Sequence, residues 1–385
     1  MSVEKALFSI LQQELGGRTC PADCFDPRLR PAVMALSEKH SLAHIVANAY
    51  LGGGFLEKDD DAEGCRKAFM LEFYRSQQQS FVLTQVGNAF DQRSIPYVPL
   101  KGSVIRGFYP QSWMRSSCDI DILIRPCDEK QAIDTLLELG YQFQKTTSIH
   151  DHSLFSPQGI HLELHFSLIQ EECLPQANAL LEQAWAYTVP LEGTCRRELK
   201  SELFLVYHIA HMAKHFIMGG CGIRPFLDLW LLRGKMVVQM PTLEALLEEA
   251  GLLEFYEKVN QVVDVWFENH PHTQLTAGIQ AFILGGGVYG NQANVYAVRA
   301  AGGESRLQSF LKVMFMSRAN LEYMYPRLEG RPWLLPYYQV KRWFGFFSKK
   351  RRNHLKQLTD ARNAVTKSQA GSTADLLNQI GLSHQ

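Results

Sequence analysis

The chain predicts an α+β fold: a small mixed sheet with helices, flanked by N-terminal and C-terminal helical regions. Three features carry that expectation. Apolar residues recur at three and four from Val3 to about Gln92, a mixed region of short strands with an intervening helix runs from Ile95 to Phe166, and helical periodicity returns beyond Thr194. In the first stretch, Leu7, Ile10 and Leu11, then Val33 and Leu36, then Phe69, Phe73 and Phe81 mark apolar helix faces. Ile95–Leu100, punctuated by Pro96 and Pro99, suits a first or edge strand. Cys118–Ile124 alternates as a strand, and Asp128–Leu139 has helical spacing at Ile133, Leu136 and Leu137 and closes at Gly140. Ser153–Ser156 and Ile160–Phe166 flank Pro157-Gln158-Gly159, a connection of hairpin length. Helices are expected over Glu202–Phe216, Phe226–Leu232 and Leu243–Trp266. From Thr366 onward the Ser, Gln, Gly and Ala content predicts frayed or disordered chain. The expected division is therefore a helical region over 1–92, a catalytic core over 93–190, a helical domain over 191–350 and a basic, partly disordered tail over 351–385.

Composition narrows the function. With 385 residues, 46% apolar and 20% charged, the chain is of the soluble globular class and long enough for two or three packed units. Lys plus Arg and Asp plus Glu both count 39, so no bulk charge draws the protein to nucleic acid or anionic membrane. The eight cysteines are scattered without a C-x-x-C pair, which fits a reducing cytoplasm. The first ten residues lack the pattern of a signal peptide. The most apolar run, Leu203–Ala213, is interrupted by His208 and His211 and falls short of a membrane span.

The chemistry concentrates around Leu100-Lys101-Gly102-Ser103, Arg115 and Cys118-Asp119-Ile120-Asp121-Ile122-Leu123-Ile124. On a strand, Asp119 and Asp121 share one face, about 7 Å apart at Cα, while Ile120 and Ile122 face the core. Two such carboxylates repel one another unless a hard divalent cation, magnesium or manganese, lies between them. His161, Glu163 and His165 share one face of a second strand, and Glu163 offers a third carboxylate. Three carboxylates from two strands can hold two ions about 4 Å apart, an arrangement that serves phosphoryl or nucleotidyl transfer. Gly102 and Ser103 follow a strand and precede a helical stretch, so their N–H groups are candidates to receive nucleotide phosphates, with Lys101 adding positive charge.

Gly102-Ser103, Asp119-x-Asp121 and a later strand carboxylate resemble the polymerase-beta-type nucleotidyltransferase superfamily. The order Leu100-Lys101-Gly102, Tyr109-Pro110, Arg115, Asp119 to Leu123, Gly140-Tyr141 and Glu163-Leu164-His165 resembles its uncharacterised bacterial nucleotidyltransferases. So do His208-x-x-His211-x-x-Lys214-His215 with Arg224 and Asp228, and Pro332-Trp333-Leu334-Leu335-Pro336 with Arg342. The resemblance covers roughly Phe69 to Phe347. It implies a twisted mixed sheet with the acidic pair on a central strand, and a magnesium-dependent enzyme passing an NMP group from an NTP to an acceptor that the resemblance does not name; a small-molecule or protein hydroxyl is the expected acceptor, and nucleic acid is not expected. Asp119, Asp121 and Glu163 would be the metal ligands and catalytic residues, and Lys101, Gly102, Ser103, Arg115, His211 and His215 would contact the nucleotide. In two respects the chain departs from the wider superfamily: fifteen residues separate Ser103 from Asp119, and Glu163 stands where Asp is usual.

Other readings fit parts of the pattern. Arg115 suits a structural partner of Asp119 as well as a phosphate contact. His208, His211 and His215 lie on one helix face, compatible with a polar stripe toward a nucleotide, with packed histidines or with a metal set. Arg224 and Asp228, four apart, suit a helix ion pair. Lys341–Arg352 combines aromatic and basic residues, and 341–356 is a candidate for membrane-surface contact. The rival functions are an inactive nucleotide-binding or partner-binding module, a small-molecule phosphotransferase and a zinc hydrolase using histidine ligands.

Overall fold

The structure is a computed structural model and describes residues 1–56, 60–144, 151–168, 174–288, 367–382 and, with short gaps, 290–344. Helices α1 (Val3–Gly16), α2 (Arg30–Lys39) and α3 (Ala43–Gly52) precede a long α4 (Asp60–Gln92). Strand β1 (Tyr97–Pro99), a single turn α5 (Gly102–Ile105), β2 (Asp119–Ile124), α6 (Glu129–Glu138), β3 (Gln142–Gln144), β4 (Asp151–Phe155) and β5 (His161–His165) form the central unit. Helix α7 (Pro175–Leu181) and a small ribbon, β6 (Thr188–Pro190) with β7 (Arg197–Leu199), lead to the C-terminal helices. These include α8 (Ser201–Ile217), α9 (Arg224–Lys235), α10 (Met240–Glu249), α11 (Leu253–Phe267), α12 (Gln274–Gly285) and α13 (Gln292–Ala301). Further along come α14 (Arg318–Met324), α15 (Leu335–Phe344) and α16 (Lys367–Gln379).

The sheet is five-stranded, in the order β1-β2-β5-β4-β3, and the acidic strand β2 lies inside it. β2 runs antiparallel to β1 and parallel to β5, with Asp119 opposite His161 and Asp121 opposite Glu163. The parallel pair cannot be joined by a tight turn, and the intervening chain supplies α6 and two further strands. Gly140, at φ 83°, ends α6 as its spacing predicts, and Gly159, at φ 80°, turns the β4–β5 hairpin.

Alternation along β2 decides what each face meets. Ile120, Ile122 and Ile124 are buried with Leu154, Leu162 and Leu164 beneath Val82, Val86 and Phe90 of α4 and Leu136 of α6. Full burial of each such side chain contributes about 1.5–3 kcal/mol. Gly87 permits the close approach of α4 to β1, since a side-chain carbon there would lie 2.4 Å from the Tyr97 hydroxyl. On the other face Leu123 joins a second core, in which Leu7, Ile10 and Leu11 of α1 and Ile45 and Val46 of α3 pack with Leu203, Val206 and Ile209 of α8. The N-terminal and C-terminal helical regions thus share one apolar cluster.

Two expectations are corrected. Phe73 and Phe81 are exposed, because the face of α4 that meets the sheet runs through Val82, Val86 and Phe90. The stretch after Thr366 holds helix α16, whose Leu377 is buried in the larger cluster together with Ile380 and Leu382, so burial of a few apolar residues overrides a polar composition. Residues 345–356 of the candidate membrane-contact segment lie outside the described residues. Among the described residues no helix is long and apolar enough to cross a membrane.

The N-terminal helices are tied to the sheet unit by buried polar groups. In α3, His44 is 3% exposed and its Nε2–H donates to the Met114 carbonyl at 2.9 Å. Burial holds His44, and His40 at the end of α2, down to a pKa of about 4. Unfolded histidine titrates near 6.5, so each folded-state depression adds stability that is present above that value and is lost as pH falls toward 4. The expected result is a urea midpoint that drops from pH 7 to pH 4.5, each of these two histidines accounting for up to roughly 3 kcal/mol. A His44→Gln variant should show a shallower fall than the parent when both are followed by circular dichroism.

Candidate active site

The loop between β1 and α5 is drawn against β2. Leu100 N–H donates to the Asp121 carbonyl at 3.0 Å, and the next residue, Lys101, takes φ 41° and ψ −119°, a backbone region that non-glycine residues rarely occupy. Gly102 follows because nothing larger fits: a side-chain carbon would lie 2.9 Å from Ser117 Oγ and 3.0 Å from an Arg115 guanidinium nitrogen. Helix α4 braces both loops. Its Gln79, 2% exposed, donates to the Ser117 carbonyl at 3.0 Å and accepts from Arg106 at 2.7 Å, while Arg106 Nε holds the Gly102 carbonyl at 3.0 Å.

Asp119, Asp121 and Glu163 converge. The candidate ligand atoms of Asp119, His161 and Glu163 lie within 4.8 Å of one another, as do those of Asp121, Glu163 and His165, so Glu163 belongs to both groups. Asp121 is 2% exposed; its Oδ1 accepts from Lys101 Nζ at 2.7 Å and from His165 Nε2 at 2.8 Å. Burial opposes its ionisation, but Lys101 and His165 hold the carboxyl well below the usual range. His165 is buried as well, and its bonds to Asp121 and Glu163 raise its affinity for a proton. The same histidine, 3.3 Å from Glu163 Oε2, lowers the Glu163 pKa. Asp119, desolvated beside Asp121 and anchored by Ser117 Oγ at 3.0 Å, is shifted upward. Three carboxylates from adjoining strands suit a hard divalent cation. His165 serves as a donor between two carboxylates, and the Nε2–H of His208 donates to the Pro225 carbonyl at 2.9 Å.

A cavity with about 190 Å³ open to water lies beside the acidic face. Lys101, Gly102, Arg115, Asp119 and Asp121 line one side, and Tyr207, His208, His211 and His215 of α8 line the other. Burial, with Lys101 and His215 nearby, keeps His211 far below the usual histidine range, and burial with Lys214 holds His215 at about 4. Their rings meet edge to face at 4.5 Å. His40, directly after α2, completes the wall; it is fully buried, and among the described residues neither ring nitrogen has a hydrogen-bond partner. A buried imidazole left unpaired at a cavity wall suits a polar ligand.

The sequence-predicted residues fare differently. Asp119, Asp121, Lys101, Gly102, His211 and His215 meet at the cavity; Glu163 is not among its lining residues and lies opposite Asp121 on β5. Ser103 is not among the lining residues, and its N–H is spent on the Leu100 carbonyl at 3.1 Å, so of the proposed phosphate-binding pair only Gly102 faces the cavity. Arg115 reaches the lining but pairs with Asp228, at 3.1 Å and 2.8 Å, rather than with Asp119. Tyr109 donates to the same Asp228 at 2.7 Å, and Arg224 donates to the Ser116 carbonyl at 3.0 Å. The carboxylate that helix spacing offers to Arg224 is therefore engaged across 113 residues of sequence. Gln79, Ser117, Tyr207 and His40 escaped sequence reasoning. Only Ser117, two residues before Asp119, carried a positional hint.

Residues 31–268 match the profile of a family described as uncharacterised nucleotidyltransferase. The chain belongs to that family. The match spans more than half of the protein and takes in the acidic strands, α8 through α11 and, apart from Val288, the residues that line the cavity. No curated protein and no solved structure matches the chain.

The buried Arg115–Asp228 pair ties the nucleotidyltransferase sheet unit to α9, with side chains 9% and 1% exposed. Removing one partner strands a buried charge, at a cost of about 3–5 kcal/mol. Asp228→Ala should lower unfolding free energy by that amount in urea titrations, whereas Arg233→Ala, which removes a half-exposed pair with Asp264, should cost under about 1 kcal/mol.

Proposed function

We propose that the protein is a metal-dependent nucleotidyltransferase that moves an NMP group from an NTP to a hydroxyl acceptor and releases pyrophosphate. One observation carries this reading: three carboxylates from the parallel β2–β5 pair converge beside a cavity bounded by Gly102, Lys101 and a histidine-lined helix. Asp119, Asp121 and Glu163 would hold magnesium or manganese. When bound, the metal lowers the pKa of the acceptor hydroxyl and neutralises charge on the phosphates.

The protein's own groups then have separable tasks. Gly102, without a side chain, lets the β and γ phosphates approach the backbone, and Lys101 adds a fixed positive charge. Arg115, locked to Asp228, keeps its guanidinium beside Gly102 at the cavity lining, while Arg106 holds the Gly102 carbonyl. His165 keeps Asp121 and Glu163 aimed by donating to one and lying 3.3 Å from the other. His211 and His215, neutral through burial, offer donors and acceptors to the nucleotide without adding charge. The acceptor is a small-molecule or protein hydroxyl rather than a long nucleic acid, in keeping with 39 basic and 39 acidic residues and no net charge. A reducing cytoplasm suits the free cysteines.

The test is incubation of the protein with α-labelled NTPs, magnesium and a panel of hydroxyl acceptors. Label on an acceptor with stoichiometric pyrophosphate is the expected result, and Asp119→Asn combined with Asp121→Asn should reduce it to background. Release of ADP with transfer of the γ-phosphate would instead identify a phosphotransferase. NTP binding that ignores the double substitution, without transfer to any acceptor, would identify a binding module.

A further inference from the structure

We infer that His40 contacts the nucleobase of the NTP, so that the N-terminal helices and the residues after α8 and α12 build a base subsite onto the cavity. The inference rests on the reading of the cavity as an NTP site and concerns which wall meets which part of the nucleotide. Lys101, Gly102, Asp119 and Asp121 form the wall suited to metal and phosphates. Glu163 and His161, which group with Asp119, are not among the lining residues, so an acceptor activated beside them leaves the rest of the cavity to the sugar and base. That remainder includes His40, Cys221, Gly222, Pro225 and Val288, and the guanidinium of the adjacent Arg224 donates to the Ser116 carbonyl at 3.0 Å. An uncharged heteroaromatic ring suits such walls better than a phosphate does.

Contacts made by its neighbours hold His40 in place, and among the described residues none uses its ring nitrogens. Just before it, Lys39 Nζ donates to the Leu284 and Gly285 carbonyls at 2.8 Å and 3.1 Å. Just after it, the Ser41 carbonyl accepts from Ser116 Oγ at 3.2 Å, in the segment that leads to Asp119. Gly222 donates its N–H to the Val288 carbonyl at 3.0 Å and packs beside the ring: a side-chain carbon at Gly222 would lie 3.1 Å from Val288 Cα and 3.3 Å from His40 Nδ1. Burial keeps the imidazole uncharged at neutral pH, with a pKa of about 4. A neutral imidazole carries one donor and one lone pair, whereas a phosphate offers acceptors alone. Nucleobase edges present both donors and acceptors, so a base can pair with the ring in either tautomer. A buried polar ring without a partner destabilises the free protein, and the base supplies the missing bond.

The experiment is calorimetric titration of the full chain, with Mg²⁺ present, by tripolyphosphate, which has no base, and by the α,β-methylene analogues of ATP, GTP, CTP and UTP. The expected result is that the parent binds at least one analogue more tightly than tripolyphosphate. His40→Phe, which keeps a ring but loses both nitrogens, should weaken that analogue about tenfold, the effect of one lost hydrogen bond, and leave tripolyphosphate unchanged. Analogues that bind the parent no more tightly than tripolyphosphate overturn the proposal without recourse to a variant. So does a folded His40→Phe that weakens neither kind of ligand, or both alike. Absence of binding by any of these probes to the parent would overturn the NTP-site reading itself.

Discussion

A carboxylate almost wholly removed from water must be neutralised, and Asp121 sets the terms for everything around it. Isolated burial of such a charge would cost several kcal/mol. Two donors prevent this, Lys101 from the loop after β1 and His165 from β5, so the groups that keep Asp121 ionised also fix the loop and the neighbouring strand. The parallel register then places Glu163 directly opposite. One compensated charge thus ties the strained loop after β1 to the two acidic strands.

A second buried charge pair does for the domain arrangement what the first does for the sheet. Arg115 and Asp228 join the segment before β2 to α9, with Tyr109 as a third partner. Gln79 on α4 holds the other side of the same segment through the Ser117 carbonyl. Helices from both ends of the chain thus fix the loop that presents Asp119, while the shared core of α1, α3 and α8 keeps them in register. His40, carried by an N-terminal helix yet lining the cavity, shows that the site draws on more than the sheet unit.

Much of this was legible in the sequence where local rules govern. Alternation from Asp119 to Ile124, the Gly140 helix stop and the Gly159 turn are set by backbone geometry and burial, and the structure has each element where those rules put it. The clustering of Asp119, Asp121 and Glu163 followed from side-chain parity along two strands, although the parallel pairing that brings them together is a tertiary fact. Most of the misses share a cause. Arg115 pairs with a residue 113 positions away, α16 forms because Leu377 is buried, and the exposed Phe73 and Phe81 lie off the helix face that the sheet selects. Each of these depends on a surface supplied by a distant part of the chain, whereas Ser103 spends its N–H locally, in the turn.

The central claim, that the three carboxylates form a metal and nucleotide site, is tested most directly by a crystal structure of the protein with Mn²⁺ and an α,β-methylene NTP. The account predicts anomalous density within about 2.2 Å of oxygens from Asp119, Asp121 and Glu163, with the β and γ phosphates against Gly102. Manganese bound elsewhere, or a triphosphate lying outside the cavity that His211 and His215 line, would contradict it.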